Sequence, residues 1–224
     1  MEGEDRFFAT REGRLHARVV GEGPAVILMH GLHPANDWRV WEHNLQAIAE
    51  AGYRAYALDL IGYGESDHPA DRPEAHRQAQ AVLDLMRHEG LESAVFGGVS
   101  WGGTIALVLA LTTPERVAGL ILVDAAAGRF REEELARIQC PTLVVWGEDD
   151  RVIPVAEGRR LARAIPGARL EVIPDVTKVP GAPDWAGHHP MRFRPEAFNA
   201  ALQDFLRRGC RKTTEDTEST EMGG

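Results

Sequence analysis

The chain has little of what would place it in a specialised class. Only two of its 224 residues are cysteine, Cys140 and Cys210. Cys140 precedes an apolar run and Cys210 lies in a polar C-terminal stretch, so a disulfide framework is not expected, and neither has metal-ligand spacing. No apolar run is long enough to cross a bilayer. The N-terminus, Met1-Glu2-Gly3-Glu4-Asp5-Arg6-Phe7-Phe8, is acidic and lacks the apolar core of a secretory signal. Positive charge is not in excess: 25 Lys and Arg stand against 34 Asp and Glu, and a net charge of −9 argues against non-specific binding to nucleic acid or anionic membrane. No G-x-G-x-x-G or Walker pattern opens a helix, and no His/Asp/Glu cluster has catalytic metal spacing. The expectation is a cytoplasmic, soluble protein with no cofactor and no metal.

What is present is an almost continuous alternation of strands and helices. Apolar runs at Leu15–Val20, Ala25–Met29, Arg54–Leu60, Ala94–Gly97, Val117–Val123, Thr142–Trp146 and Arg169–Ile173 read as strands. Helical patterns fill the gaps: Trp38–Ala51, Pro73 to about His88, Thr104–Thr112, Val155–Ile165 and Pro195–Arg207. Strands this uniformly apolar, separated by helices, predict an α/β fold with a mostly parallel central sheet and helices on both faces. One domain over residues 1–208 is expected. Residues 209–224, rich in Thr, Glu and Gly, read as a disordered tail.

The most informative stretch is Gly98-Val99-Ser100-Trp101-Gly102, a G-x-S-x-G between a buried strand and a buried helix. A serine on such a tight turn is lifted clear of the sheet, beside the first N–H groups of the helix. A glycine-rich turn with a buried serine explains the glycines equally well, so a base and an orienting acid must decide. Acids cluster after the Thr142–Trp146 strand, at Glu148, Asp149 and Asp150. Histidines follow the last strand, at His188 and His189. Both lie where an open parallel sheet places its site, beyond the carboxyl ends of the strands.

Here the chain resembles the α/β-hydrolase superfamily across roughly residues 15–208. The resemblance is carried by His30-Gly31-Leu32, by Asp59-Leu60-Ile61-Gly62-Tyr63-Gly64-Glu65-Ser66 and by the serine turn. It is carried further by Pro141 to Asp150 and by Gly187-His188, in the order Ser, Asp, His. It implies Ser100 as nucleophile, Asp150 as acid (Asp124 or Asp149 being the alternatives) and His188 as base, with His189 its neighbour. It implies an oxyanion hole from the amides of Leu32 and Trp101, a structural role for His30, and loop-shaping roles for Asp59, Gly62, Gly64 and Ser66. His33 and Trp185 are candidate substrate contacts. Trp38 and Trp41 read as helix packing or pocket rim.

The chain departs from the family at three places. Only Ala125 to Pro141 bridges two strands where many members carry a helical cap, so the site should be open or roofed by a small element around Phe130 and Leu135. Ten residues, Val176–Trp185, precede the base as an insertion; it acts as a substitute lid, bulges into solvent, or displaces His188. Val99 stands where many relatives have histidine. The implied activity is carboxylic-ester hydrolysis through an acyl-enzyme on a small-molecule ester. Thioester, lactone and carbon–carbon cleavage and peroxyacid formation remain open, and a serine nucleophile argues against the epoxide-hydrolase branch, whose relatives use aspartate. A non-catalytic binding protein on the same fold is the reading of a different class. Oligomeric state is not legible.

Overall fold

The computed structural model describes residues 3–209, so Cys210 and the expected tail beyond it lie outside the described residues. Eight strands form one sheet: β1 (Glu4–Thr10), β2 (Gly13–Val20), β3 (Ala25–Met29), β4 (Arg54–Asp59), β5 (Ala94–Val99), β6 (Val117–Val123), β7 (Thr142–Gly147) and β8 (Arg169–Ile173). Their spatial order is β1-β2-β4-β3-β5-β6-β7-β8. All pairs from β4 to β8 are parallel, while β1 with β2 and β2 with β4 are antiparallel.

The helices are α1 (Leu45–Glu50), α2 (Ala75–His88), α3 (Trp101–Thr112), α4 (Glu132–Leu135), α5 (Val155–Ala164), α6 (Pro190–Phe193) and α7 (Pro195–Gly209). Strand alternation sends Ala25, Ile27 and Met29 into a core shared with α2, α3 and α5. It sends Val26 and Leu28 into a second core on the opposite face, shared with α1 and α7. This is why the strands are apolar throughout and why α3, behind the central strand, is buried on nearly every side.

Two expectations need correction. The helix anticipated over Trp38–Ala51 is broken into a 3₁₀ turn (Trp38–Trp41) and α1. Asn44, fully buried between them, donates to Met191 O at 3.0 Å and to Asn199 Oδ1 at 2.8 Å, bonds that tie the break to α6 and α7. Trp41 is core, packed on Phe198, while Trp38 lies under Arg18 and Arg39. The second correction concerns β1. Its mixed charged and aromatic residues hide it as a strand, yet it pairs with β2 over its whole length.

Candidate active site

The serine turn forms for steric reasons that the two flanking glycines satisfy. A Cβ on Gly98 would stand 2.1 Å from the Gly102 carbonyl carbon, and a Cβ on Gly102 would stand 2.2 Å from Met29 O. Only bare backbone lets β5, α3 and β3 approach this closely. Ser100, between them, is held at φ 54, a conformation that L-residues rarely adopt and that is costly unless the surroundings enforce it. The enforcement is visible: Ser100 N donates to Val123 O at 2.9 Å, and Ser100 O accepts from Ala126 N at 2.9 Å and from Gly103 N at 3.0 Å.

Asp150 and His188 come together from two loops at the carboxyl end of the sheet. Asp150 Oδ1 accepts from the amides of Val152 (2.7 Å) and Ile153 (3.1 Å), which leaves Oδ2 to meet His188 Nδ1 at 2.7 Å. Both residues are buried. The close approach again needs glycine. A Cβ on Gly147 would strike Gly187 O at 2.0 Å, and one on Gly187 would strike Asp149 O at 2.5 Å. Ser100 and His188 line one cavity of about 750 Å³ together with Gly31, Leu32, His33 and Trp185. No direct hydrogen bond joins Ser100 to His188; such bonds often tighten only when substrate is bound.

The loop over the serine turn is equally fixed. Gly31 is near enough to Ser100 that an added Cβ would lie 3.2 Å from the Ser100 Cβ. Asn36 donates to Gly31 O at 3.1 Å, and Tyr63 OH donates to Leu32 O at 3.0 Å. His30 lies beneath, accepting from Leu60 N at Nε2 and meeting Gly31 O through Nδ1. Burial holds its imidazole below the ordinary range, so it is a neutral brace. The amides of Leu32 and Trp101 donate to no protein group among the described residues. Trp101 opens α3, where the first N–H groups have no intrahelical partner. Asp59 organises the adjoining loop, accepting from Trp38 N (2.7 Å) and Glu65 N (2.8 Å) and pairing with buried His16 at 2.8 Å.

The insertion leaves His188 in contact with Asp150. Its first residues, Val176–Lys178, form a 3₁₀ turn with Val176 fully buried. Asp149 Oδ2 accepts from Thr177 N at 2.7 Å and from the Thr177 hydroxyl. Asp149 is therefore an anchor for the insertion, not the solvated loop carboxylate its sequence context suggests. Trp185 closes the insertion, 47% exposed, with edge-on ring contacts to His189 and Phe193 at 5.3 and 5.5 Å. The expected roof at Phe130 and Leu135 is not there. Leu135 is fully buried in the α2–α3–α5 core, and Arg160 of α5 ties down the linker through the carbonyls of Ala127 and Phe130. The cavity is walled instead by Trp185, His189 and Arg192 on one side, with Val152 and the loop from Gly31 to Asn36 completing it. Arg192 went unnoticed in the sequence, since one arginine after a His-His-Pro carries no motif.

Asp124, the alternative acid, is also at the site. One oxygen each from Asp124 and Asp150 and one ring nitrogen of His188 all lie within 4.8 Å of one another, and all three residues are buried. These are metal-ligating residue types assembled by the fold without any ligand spacing in sequence. Asp150, however, already spends both oxygens on the Val152 and Ile153 amides and on His188.

An eight-stranded, mostly parallel sheet with helices on both faces and a strained serine between β5 and α3 defines the α/β-hydrolase architecture. A family model of the alpha/beta hydrolase fold matches residues 24–137, just over half of the chain, and the chain belongs to that family. Bifunctional epoxide hydrolase 2 of Sus scrofa is 40% identical over 106 residues, 46% of this chain and 19% of that protein. The chain thus spans about a fifth of that relative's length. The 2-hydroxy-6-oxononadienedioate/2-hydroxy-6-oxononatrienedioate hydrolase 2 of Pseudomonas putida is 26% identical over 283 aligned positions, covering 90% of this chain and 96% of that one. That alignment is longer than the 224 residues here, so the relative carries stretches with no counterpart in this chain. Among solved structures, a "predicted CIB-like hydrolase" from Thermoplasma acidophilum superposes with a TM-score of 0.79 at 27% identity, over 92% of this chain and 98% of that one.

Proposed function

We propose that the protein is a serine hydrolase that cleaves carboxylic esters of small molecules through an acyl-enzyme. The observation that carries this reading is the 2.7 Å contact between His188 Nδ1 and Asp150 Oδ2 at a cavity that Ser100 also lines. In this reading His188 Nε2 takes the Ser100 proton as Oγ attacks the carbonyl carbon. The free amides of Leu32 and Trp101 receive the oxyanion, and His188 returns the proton to the leaving alcohol. Water then repeats the sequence and releases the acid. Asp150 fixes the imidazole tautomer and stabilises its charged form. His33 and Trp185 line the same cavity and would contact the acyl or alcohol group.

The test is labelling by a fluorophosphonate, read by intact mass and peptide mapping. Wild type should be modified at Ser100, while Ser100→Ala and His188→Ala should not. A folded wild type that stays unlabelled would transfer the site to the binding-protein reading. The second reading worth carrying is carbon–carbon bond hydrolysis by the same groups. It is favoured by the Pseudomonas putida relative, which aligns over almost all of both chains and is named as a hydrolase of oxononadienedioates. Turnover of vinylogous diketo acids but not of simple esters by labelled-competent protein would select it. The epoxide-hydrolase name of the porcine relative carries less, because the match covers under half of this chain and serine stands where aspartate would be needed.

A further inference from the structure

Asp124 is the one fully buried carboxylate at the site to which the proposed reaction gives no task. It follows β6 at φ 42, and its backbone is fixed by its own N–H to Val145 O at 3.1 Å. Oδ1 accepts from Gly147 N at 3.0 Å. Oδ2 is buried and has no hydrogen-bond donor among the described residues. A buried ionised oxygen without a donor is among the costliest groups a fold can hold. Asp150 presents the complementary gap. An ionised carboxylate offers about four acceptor positions, and Val152 N, Ile153 N and His188 Nδ1 occupy three on Asp150. The titratable groups around Asp124 are Asp149 and Asp150 from the β7–α5 loop and His188 from the turn after the insertion. The serine turn, packed on the same segment, brings none. Two carboxylates with oxygens within 4.8 Å, neither paired with a lysine or arginine among the described residues, strongly disfavour joint ionisation. Burial first, and the Asp150 charge second, hold the Asp124 carboxyl well above its ordinary 3.8.

We propose that Asp124 is a positioning residue that stays protonated and donates its Oδ2–H to Asp150, filling the fourth acceptor position and holding that carboxylate toward His188. One proton on Asp124 accounts for both the orphaned oxygen and the tolerance of two adjacent acids. No proton moves from it during turnover. The part of the test that uses turnover rests on the serine-hydrolase reading; the other two parts do not.

Asp124→Asn retains shape, an N–H donor and a residue type that accepts positive φ, and Asp124→Gly retains φ and removes the donor. Infrared difference spectroscopy of the wild type at neutral pH should show a protonated-carboxyl band that Asp124→Asn abolishes. Its absence from wild type overturns the proposal. Stability gives a second reading on protein with or without activity. A carboxyl raised in the folded state contributes stability that is complete below 3.8 and is lost as pH rises through the folded value. The stability gap between Asp124→Asn and wild type should therefore move in favour of the variant as pH rises. A gap that stays flat overturns the proposal.

The third reading is the acid limb of kcat/KM against pH. Removing a neutral donor leaves the limb near wild type in Asp124→Asn and raises it by about half a pH unit in Asp124→Gly, because Asp150 becomes the stronger partner for His188. Removing an ionised neighbour would lower the limb in both variants, and that result overturns the proposal, as does a Gly variant indistinguishable from the Asn variant. Loss of activity on exhaustive chelation would assign the three-residue cluster to a cation and overturn it as well.

Discussion

Gly187 packs edge-on against the Asp149 backbone, so that a Cβ at Gly187 would stand 2.5 Å from the Asp149 carbonyl oxygen. The contact sets where His188 starts and therefore whether Nδ1 can reach Asp150. Gly187→Ala must push the two loops apart. A displacement of about 1 Å at a reacting group costs on the order of 100-fold in rate. We expect kcat/KM on the best ester to fall by about that factor and the denaturation midpoint to fall as well, because the atoms met are backbone and cannot give way cheaply. Circular dichroism and ester kinetics on the same preparation measure both.

Ser100→Ala removes the nucleophile and leaves the strain of the turn in place. A serine in the triad role contributes about 10⁶ in kcat. The replacement should thus leave no detectable ester turnover. Alanine at φ 54 is no better accommodated than serine, so stability should fall slightly or stay level; Ser100→Gly should be more stable than wild type by about 1 kcal/mol. Chemical denaturation of the three proteins separates the two effects.

Asp149→Ala cuts the insertion loose from the β7–α5 loop by removing the acceptor of both Thr177 bonds. Together with Trp185→Ala, it tests whether the insertion acts as a wall of the site. If it does, both variants raise KM several-fold with a smaller change in kcat, the pattern expected when binding common to ground and transition states is lost. Unchanged KM in both would assign the insertion no part in substrate binding.

The His16–Asp59 pair makes a stability prediction with a defined pH window. Burial opposes the charged imidazole, but the bond to Asp59 and its charge win and raise His16 above 6.5. Burial likewise opposes the Asp59 carboxylate, and the bonds from His16, Glu65 N and Trp38 N hold it below 3.8. The His16 contribution is complete below 6.5 and lost as pH rises through its folded value. The Asp59 contribution is present above 3.8 and lost as pH falls. The pair is thus strongest between those limits. His16→Gln should destabilise by about 3 kcal/mol in the window, the scale for breaking a buried ion pair. The penalty should shrink as pH rises through the folded value of the imidazole. Urea titrations across that range decide it.

Much of this molecule was legible in its sequence because the forces that shape it are periodic or local. The parallel strands declare themselves by unbroken apolar runs, and Gly98 and Gly102 by the closeness of three backbone segments. Ser100, Asp150 and His188 are picked out by resemblance, and all three lie on turns or loops at the carboxyl end of the sheet, with Asp150 meeting His188. What was hidden depends on contacts distant in sequence. β1 is a strand only because β2 is there to pair with it. The Trp38–Ala51 pattern is helical in period, yet Asn44 finds partners more than a hundred residues away and breaks it. Phe130 and Leu135 look like a roof by position, but the apolar face of α2, α3 and α5 is the better place to bury them. Asp149 reads as solvated until Thr177 is seen beside it.

The residue proposed as base and one side of the cavity share one short stretch: Trp185, His188, His189 and Arg192 all lie within residues 185–192, while the loop from Gly31 to Asn36 and Val152 line the rest. In a capped relative the entrance and the chemistry are encoded apart, so selection can reshape one and spare the other. Here they are genetically linked. A library that diversifies this stretch to admit bulkier esters will also scatter the imidazole, and gains in scope should arrive with losses in turnover. The linker at Gly128, where an added Cβ meets nothing within 4 Å, is the place where a new enclosure could be grafted without that conflict.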